Sequence, residues 1–581
     1  MEALDKLRSQ GKIRAIGVSN ITIDHLKRYG NIASAQEKFS LIDRGIVEKG
    51  IVSYCIDHNI ALLSYFTLEQ GLLTGTMSPD REFKNGDMRK NDPKFTPENR
   101  RSSMNERVIV GLTAAVHPGM PGDDVGVYQA ILPQMEKLAK EYDFDLVFVP
   151  EPIRNENDGY KVKTFMDEKK VDFMLLFCPS LPFGRSILPL AKVNSYIGIW
   201  AVPEPTQDGV LQLNSFCGLN MVGSIFANYF SSHNLSFKWF YDYPETELFR
   251  KRLKITIKVM KALKTIKNAR IGQIGDLANG FENMYIDERD LEAKFGTYIQ
   301  TRHTVEDIVR RAQSYPENEV EKTLQKILSE GKWNQEHVSA EQMNKMARLD
   351  MAFIDFAREN NYQALAISCW TKFQEVYDLA VCGAMGRLNQ AGIVAPCEAD
   401  IPSTVSMIIL KALNDKIPTI NDMVALDPDD NSINLWHCGV AANDWADFSG
   451  ITWDQHFNIG QYQNGKWHGK GVVADMNFKK GDITIATLHN DFNHLFILTG
   501  SIMENKKPYY GSSGWVNNLK IAGKGTTIPE LINTIMVNRV NHHYPTSYDN
   551  LFEELAEFAN WKDIQIFKPI PYQDFMQKPQ R

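Results

Sequence analysis

The 581-residue chain has only seven cysteines, and no two of them form a Cys-x-x-Cys pair. That argues against a disulfide framework and against a structural zinc site, which wants thiols at close spacing. Scattered single cysteines suit a reducing, cytoplasmic setting. No apolar run approaches the roughly 18 residues of a membrane span. The opening MEALDKLRSQGKIR has no apolar core of the secretory kind. An excess of positive charge is also missing. Lys and Arg number 64 against 71 Asp and Glu, a net charge of −7, which leaves no basic footprint for nucleic acid. No internal repeat is visible. What remains is an ordinary globular composition, 43% apolar and 23% charged, on a chain long enough for several domains.

The texture of the chain changes along its length. Residues 1–80 form one segment, and the polar, aliphatic-poor stretch 81–106 reads as a linker. From 107 to 262, RVIVGLTAAV, LVFVPE, VDFMLLFCP and SYIGIWAVPEP read as strands alternating with helices such as YQAILPQMEKLAKEYD and KVKTFMDEKK. Such alternation predicts an open, mainly parallel α/β sheet. A second α/β domain is expected over 263–412, with strands ARIGQIG, YQALAISC and AGIVAPCEA. Residues 413–581 change to short alternating strands (SINLWHCG, KGVVADMNF, GDITIATLH, HLFILTGSIM, WVNNLKIA), predicting a β-rich antiparallel domain. The expected fold class is therefore α/β: two open parallel-sheet domains, then a β-rich C-terminal domain.

Four residues stand out at the ends of these elements, where side chains converge on clefts. Glu398, in APCEADI, precedes an amphipathic helix. Asp422 lies in PTINDMV, His437 in INLWHCG, and His543 in VNRVNHHYP beside His542. A buried carboxylate is costly unless it is paired or holds a metal. Carboxylate oxygens with imidazole suit Mn²⁺ or a related divalent ion. The bland alternatives are a helix cap for Glu398, a strand end for Asp422 and a hydrogen-bonded core histidine for His437.

The run CWTKFQEVYDLAVCGAMGRLNQAGIVAPCEADIPSTVSMIILKALNDKIPTINDMVALDPDDNSINLWHCG resembles the L-fucose isomerase-related family of sugar isomerases. So do VPEPTQDGVLQLNSFCGLN and NRVNHHYPTSYD, so that the likeness covers roughly residues 105–581. The resemblance implies a metal-dependent aldose–ketose isomerase acting through an enediolate. Glu398 and Asp422, 24 residues apart, match the family's two acids, expected as both metal ligands and acid–base groups. His543 matches the C-terminal metal histidine, with His542 as the alternative. His437 fits the further metal histidine of arabinose isomerases, which L-fucose isomerases proper lack. Mn²⁺ or another divalent ion is the implied cofactor. A sugar, sulfonated or otherwise modified aldoses included, is the implied substrate, and a trimer or hexamer the implied assembly. Trp370, Asn214, Ser215, Glu204 and His542 are candidate substrate contacts, with core packing as the alternative for Trp370. A non-catalytic sugar-binding protein on the same scaffold is the competing reading.

The first hundred residues are different. LDKLRSQGKIRAIGVSN and FSLIDRGIVEKGIVSYCIDHNIALLSYFTLEQGLLTGT are similar to the aldo-keto reductases. Ser19 and Asn20 match that family's nicotinamide-carboxamide pair, Gln36 another nicotinamide contact, and Tyr65 the ring that stacks on nicotinamide. A (β/α)₈ barrel needs about 250 residues. The segment carrying the catalytic Tyr, Lys, His and Asp is missing from this chain. No reductase activity and no working cofactor site are therefore expected, and an NADP-dependent oxidoreductase is the least favoured reading.

Overall fold

The computed structural model describes residues 2–40, 43, 45–70, 83, 87–92, 95, 107–119, 122, 126–230 and 235–579. The chain divides into two compact units, Met1–Arg107 and Val108–Arg581.

The first unit is built on three parallel strands in the order β1 (Gly17–Ser19), β2 (Ser34–Lys38) and β3 (Ala61–Tyr65). Helices Ile23–Tyr29 and Ile51–Asp57 pack on it through Leu26, Ile51 and Cys55, with Ile21, Ile32, Ala35 and Ile60 completing a small core. Ser19 lies opposite Gln36. The Tyr65 hydroxyl donates to Asn20 Oδ1 at 2.5 Å, and Asn20 has a left-handed φ of 52°. Ser19, Asn20 and Tyr65 lie at the C-terminal ends of their strands, and Gln36 sits in the middle of β2. Of the expected linker 81–106, only 83, 87–92 and 95 are among the described residues.

The second unit opens with five parallel strands in the order β5-β4-β6-β7-β8: β4 (Val108–Ala114), β5 (Phe144–Phe148), β6 (Phe173–Phe177), β7 (Tyr196–Ala201) and β8 (Phe237–Tyr241). All five residues of β6, FMLLF, are buried. A central strand covered on both faces reads as continuous apolar sequence. The helix Glu247–Asn268 is capped by Thr246 and buries Leu253, Ile257, Met260 and Leu263. It runs unbroken through the boundary expected at 262/263.

A second parallel sheet has the order β10-β9-β12, formed by β9 (Ile271–Ile274), β10 (Ile299–His303) and, after the short β11 (Lys332–Trp333), β12 (Ala364–Ile367). The strand expected in AGIVAPCEA shrinks to a single Ala364–Val394 bridge. The physical reason is local. Asn389 accepts the Ala395 N–H at 2.9 Å and donates to the Ala395 carbonyl at 3.0 Å. Pro396 then has no N–H to give a ladder.

The C-terminal region forms β13 (Asp422–Asp427), β14 (Ser432–His437), β15 (Thr452–Gln455), the hairpin β16 (Gly460–Gln463) and β17 (Lys466–Gly469), β18 (Val472–Asn477), β19 (Gly481–Leu488), β20 (His494–Ile502), β21 (Ser512–Ile521), β22 (Lys524–Gly525), β23 (Thr546–Tyr548) and β24 (Gln565–Ile566). The hairpin stands alone, and the other strands join an eleven-stranded sheet with the path β11-β15-β18-β21-β20-β19-β23. Its pairs are mostly antiparallel, with parallel joins at β11–β15, β18–β21 and β20–β24. Among the described residues, no helix is long and apolar enough to cross a membrane.

Candidate metal centre

Four chain segments meet at one point. The first is the turn before helix Ile401–Asn414, where Asp400 is the N-cap and Pro402 sits in the first turn. Glu398 (φ 62°) and Ala399 (φ 57°) are consecutive left-handed residues, and neither is glycine. Each such residue costs roughly 1–3 kcal/mol and persists only when its surroundings hold it. Here the Ala399 N–H donates to the Ile367 carbonyl at the end of β12, at 3.0 Å, and the Asp400 N–H to the Cys397 carbonyl at 3.2 Å. The second and third segments are β13 and β14, whose register sets Asp422 opposite Trp436, the neighbour of His437. The fourth is joined by an isolated antiparallel bridge between Asp422 and His543.

Glu398 Oε2 lies 3.3 Å from His543 Nε2 and 3.7 Å from His542 Nε2, and Asp422 Oδ1 lies 3.9 Å from His543 Nε2. Glu398, His542 and His543 offer donor atoms within 4.8 Å of one another, and so do Asp422, His437 and His543. Glu398 Oε2, Asp422 Oδ1 and His437 Nε2 are buried without a hydrogen-bond partner. A buried polar atom left unpaired costs about 1–3 kcal/mol. Two carboxylate oxygens that share such a pocket and lack partners are a fit for a divalent cation.

The partners of each ring fix its protons. His543 is buried, and its Nδ1–H donates to Asp400 Oδ2 at 2.8 Å. Asp400 also accepts the Ser403 N–H at 3.0 Å and the Ser403 hydroxyl at 2.5 Å. Burial disfavours the Asp400 carboxylate, but His543 and Ser403 outweigh it and hold its pKa below the usual range. The His543 Nε2 lone pair is therefore free and turned toward the acids, the carboxylate–histidine arrangement of metal sites. His542 differs. It accepts from Asn283 Nδ2 on Nδ1 at 3.0 Å, which leaves its Nε2 hydrogen facing Glu398, and its ring stacks on Phe281 at 5.7 Å. His437 accepts the Cys438 backbone N–H on Nδ1 at 2.9 Å. Cys438 Sγ lies 3.1 Å from the same Nδ1.

Cysteines that are scattered in sequence gather behind this centre. Cys369 Sγ lies 2.7 Å from Cys397 Sγ, and Cys382 Sγ 3.2 Å from Cys438 Sγ. Hydrogen bonds from Cys382 and Cys397 draw the Cys438 thiol well below its ordinary pKa. Cys382, Cys438 and His456 also come within 4.8 Å of one another. His456 Nδ1, however, accepts the amide hydrogens of Asn458 and Ile459 at 3.1 and 2.8 Å. Its remaining hydrogen therefore sits on Nε2, which has no hydrogen-bond partner.

The proposed sugar contacts part company. Trp370 is 36% exposed, so it is not core. It lines a cleft of about 490 Å³ with Ser368, Lys372, Asp276 and Arg302. A second cleft, of about 510 Å³, shares Arg302 and Asp276 and reaches Ala399 and Ile401. Glu204 instead accepts the amide hydrogens of Gln212, Leu213 and Asn214 at 3.0, 3.0 and 2.5 Å. Ser215, fully buried, accepts the Val202 N–H at 3.0 Å and donates to the Cys178 carbonyl at 2.5 Å. Asn214 is the left-handed N-cap between them (φ 58°). These three residues build the loop after β7, and the polar atoms of Glu204 and Ser215 are engaged there. Sequence reasoning missed Asp400 and Asn283. Asp before Ile-Pro, with Ser three residues on, is a legible N-cap signal, but nothing in it points to His543.

The aldo/keto reductase family profile matches residues 1–149, which carries past the first unit into β4 and β5. The NADH-specific methylglyoxal reductase of Escherichia coli (strain K12) is 41% identical over 99 residues, 16% of this chain and 29% of that protein. A sulfoquinovose isomerase of Priestia aryabhattai is 26% identical over 417 residues, 70% of this chain and 88% of that protein. Among solved structures, the glycerol dehydrogenase of Gluconobacter oxydans is similar at 25% identity over 39% of this chain and 52% of its own, with a TM-score of 0.18, too low to carry an argument.

Proposed function

We propose that residues 108–581 form a divalent-metal-dependent aldose–ketose isomerase, with a 6-sulfonated hexose such as sulfoquinovose as the substrate class. The observation that carries the proposal is the convergence of two partnerless carboxylate oxygens, Glu398 Oε2 and Asp422 Oδ1, on the free lone pair of His543. The similarity to sulfoquinovose isomerases, which spans 88% of such a relative, supports the reaction class and suggests the sugar.

Glu398, Asp422 and His543 would hold the ion. A divalent ion bound there supplies Lewis acidity to the sugar carbonyl and its neighbouring hydroxyl. One carboxylate takes the proton from the carbon beside the carbonyl and returns it to the adjacent carbon, while the other passes a proton between the two oxygens. Asp400 keeps His543 oriented, and His542 Nε2 faces Glu398 Oε2 at 3.7 Å. The cleft that reaches Ala399, and the neighbouring one that shares Arg302 and Asp276 with it and carries Trp370, offer room for the rest of the sugar. Assembly as a trimer or hexamer goes with this reading and is read from the native mass.

The test is isomerisation of an aldose panel (fucose, arabinose, other common aldoses and sulfoquinovose) by metal-stripped protein with and without Mn²⁺. Wild type is compared with Glu398→Gln. Mn²⁺-dependent turnover of the sulfonated sugar that falls at least 10²-fold in Glu398→Gln is expected, in line with the usual worth of a general acid–base group. Turnover independent of metal, or unchanged in Glu398→Gln, refutes the site. Sugar binding without any turnover would establish a binding protein instead.

A further inference from the structure

The three histidines at this centre are not equivalent. On the reading that Glu398, Asp422 and His543 hold a divalent ion, we propose that His437 is not a fourth ligand. Its role is that of a hydrogen-bond donor to the reacting sugar oxygen. A ligating imidazole must present a lone pair. His437 Nδ1 accepts the Cys438 backbone N–H at 2.9 Å, and an amide nitrogen always carries its hydrogen. Cys438 Sγ also lies 3.1 Å from Nδ1, but a hydrogen placed on that nitrogen would face the amide hydrogen. The ring hydrogen therefore sits on Nε2, the one buried atom of His437 with no partner.

His543 shows the opposite wiring. Its Nδ1 meets an acceptor, Asp400 Oδ2, at 2.8 Å, so its Nε2 bears the lone pair. The two rings lie 5.8 Å apart, centroid to centroid, at the same pocket. One presents a base and the other an N–H. His437 is also fixed in place. It ends β14, pairs with Ser512 of β21 and is buried. A rigid, buried N–H is suited to an oxygen that gains negative charge as the proton leaves carbon. His437 moves no proton in this role, and it holds the oxygen on which charge builds up.

Losing one preorganised donor of this kind costs about 10²–10³ in kcat. The test separates this role from ligation in the full-length protein. Metal-stripped wild type, His437→Gln and His543→Gln are titrated with Mn²⁺ by equilibrium dialysis. Wild type grown with ¹⁵N-histidine is examined by pulsed EPR of the bound Mn²⁺. The expected results are one directly coordinated histidine nitrogen in wild type, Mn²⁺ affinity within threefold of wild type in His437→Gln, and at least a tenfold loss in His543→Gln. In His437→Gln, kcat falls while KM for the sugar changes little. Two coordinated histidine nitrogens in wild type overturn the proposal whether or not the variant folds, as does Mn²⁺ loss in a folded His437→Gln. Wild type that binds no Mn²⁺ overturns the metal-site reading itself, a different failure.

Discussion

Asp400 touches neither the sugar nor the ion in this scheme, yet it decides whether His543 can act as a ligand. The informative perturbation is Asp400→Asn, which preserves size and leaves an oxygen to cap the helix. Asn is as good an N-cap as Asp, so the cap alone predicts almost no change in stability. The buried side chain of Asp400 serves two partners, with one oxygen on the Ser403 amide and the other on His543 Nδ1 and the Ser403 hydroxyl. With the amide oxygen kept on the Ser403 N–H, the new NH₂ faces His543 Nδ1 as a donor. The imidazole hydrogen then moves to Nε2 and occupies the lone pair meant for the ion. Altering such an outer partner typically costs 10–100-fold in metal affinity, about 1.4–2.8 kcal/mol. The assay is Mn²⁺ titration of metal-stripped wild type and Asp400→Asn, with Ser403→Ala as the control that loosens the cap but leaves the carboxylate. A 10–100-fold weaker Kd in Asp400→Asn, with Ser403→Ala near wild type, is expected. Asp400→Asn binding Mn²⁺ within threefold of wild type would refute the assignment of the His543 tautomer, and with it the contrast drawn with His437.

Other parts of the molecule make independent predictions. Asp167 accepts from Lys163 Nζ at 2.6 Å and from the Asn194 N–H at 2.9 Å, and although burial disfavours its charge these bonds hold its pKa below the usual range. Its contribution, about 1 kcal/mol, is present above the unfolded value near 3.9 and lost as pH falls through the lower folded value. Asp167→Asn should melt below wild type at pH 6 and approach it near pH 3; an equal gap at both pH values would refute this. Arg387 is buried between Glu330 and Asp350, whose pKa burial pushes up. Arg387→Met should cost about 3–5 kcal/mol, and adding Asp350→Asn should recover part of it in the same thermal melts. Of seven cysteines only Cys217 is exposed. A thiol reagent should therefore label one site rapidly and seven on unfolding, and rapid labelling of Cys397 or Cys438 would contradict the buried array.

Strand β6 was readable because its burial on both faces makes it apolar throughout, and the C-terminal strands because they alternate. The helix Glu247–Asn268 was readable from its period. AGIVAPCEA misled because a side chain, Asn389, takes the backbone groups of Ala395 that a strand would use. The residues of the metal centre were nameable one by one, whereas their meeting depends on pairings such as Asp422–His543 that no local pattern encodes. Asp400 was hidden for a further reason. Its role as N-cap fully explains it locally, while its bond to His543 spans 143 residues. Protonation lies deeper still. His437, His542 and His543 are the same letter, and what separates them is the group that meets Nδ1: a backbone amide, a side-chain amide and a carboxylate. The first two donate and force the ring hydrogen onto Nε2, and the third accepts and frees Nε2. Since a lone pair on Nε2 is what a metal needs and a hydrogen there is what an oxyanion needs, the chemical role of each histidine is set by a neighbour that is not itself reactive.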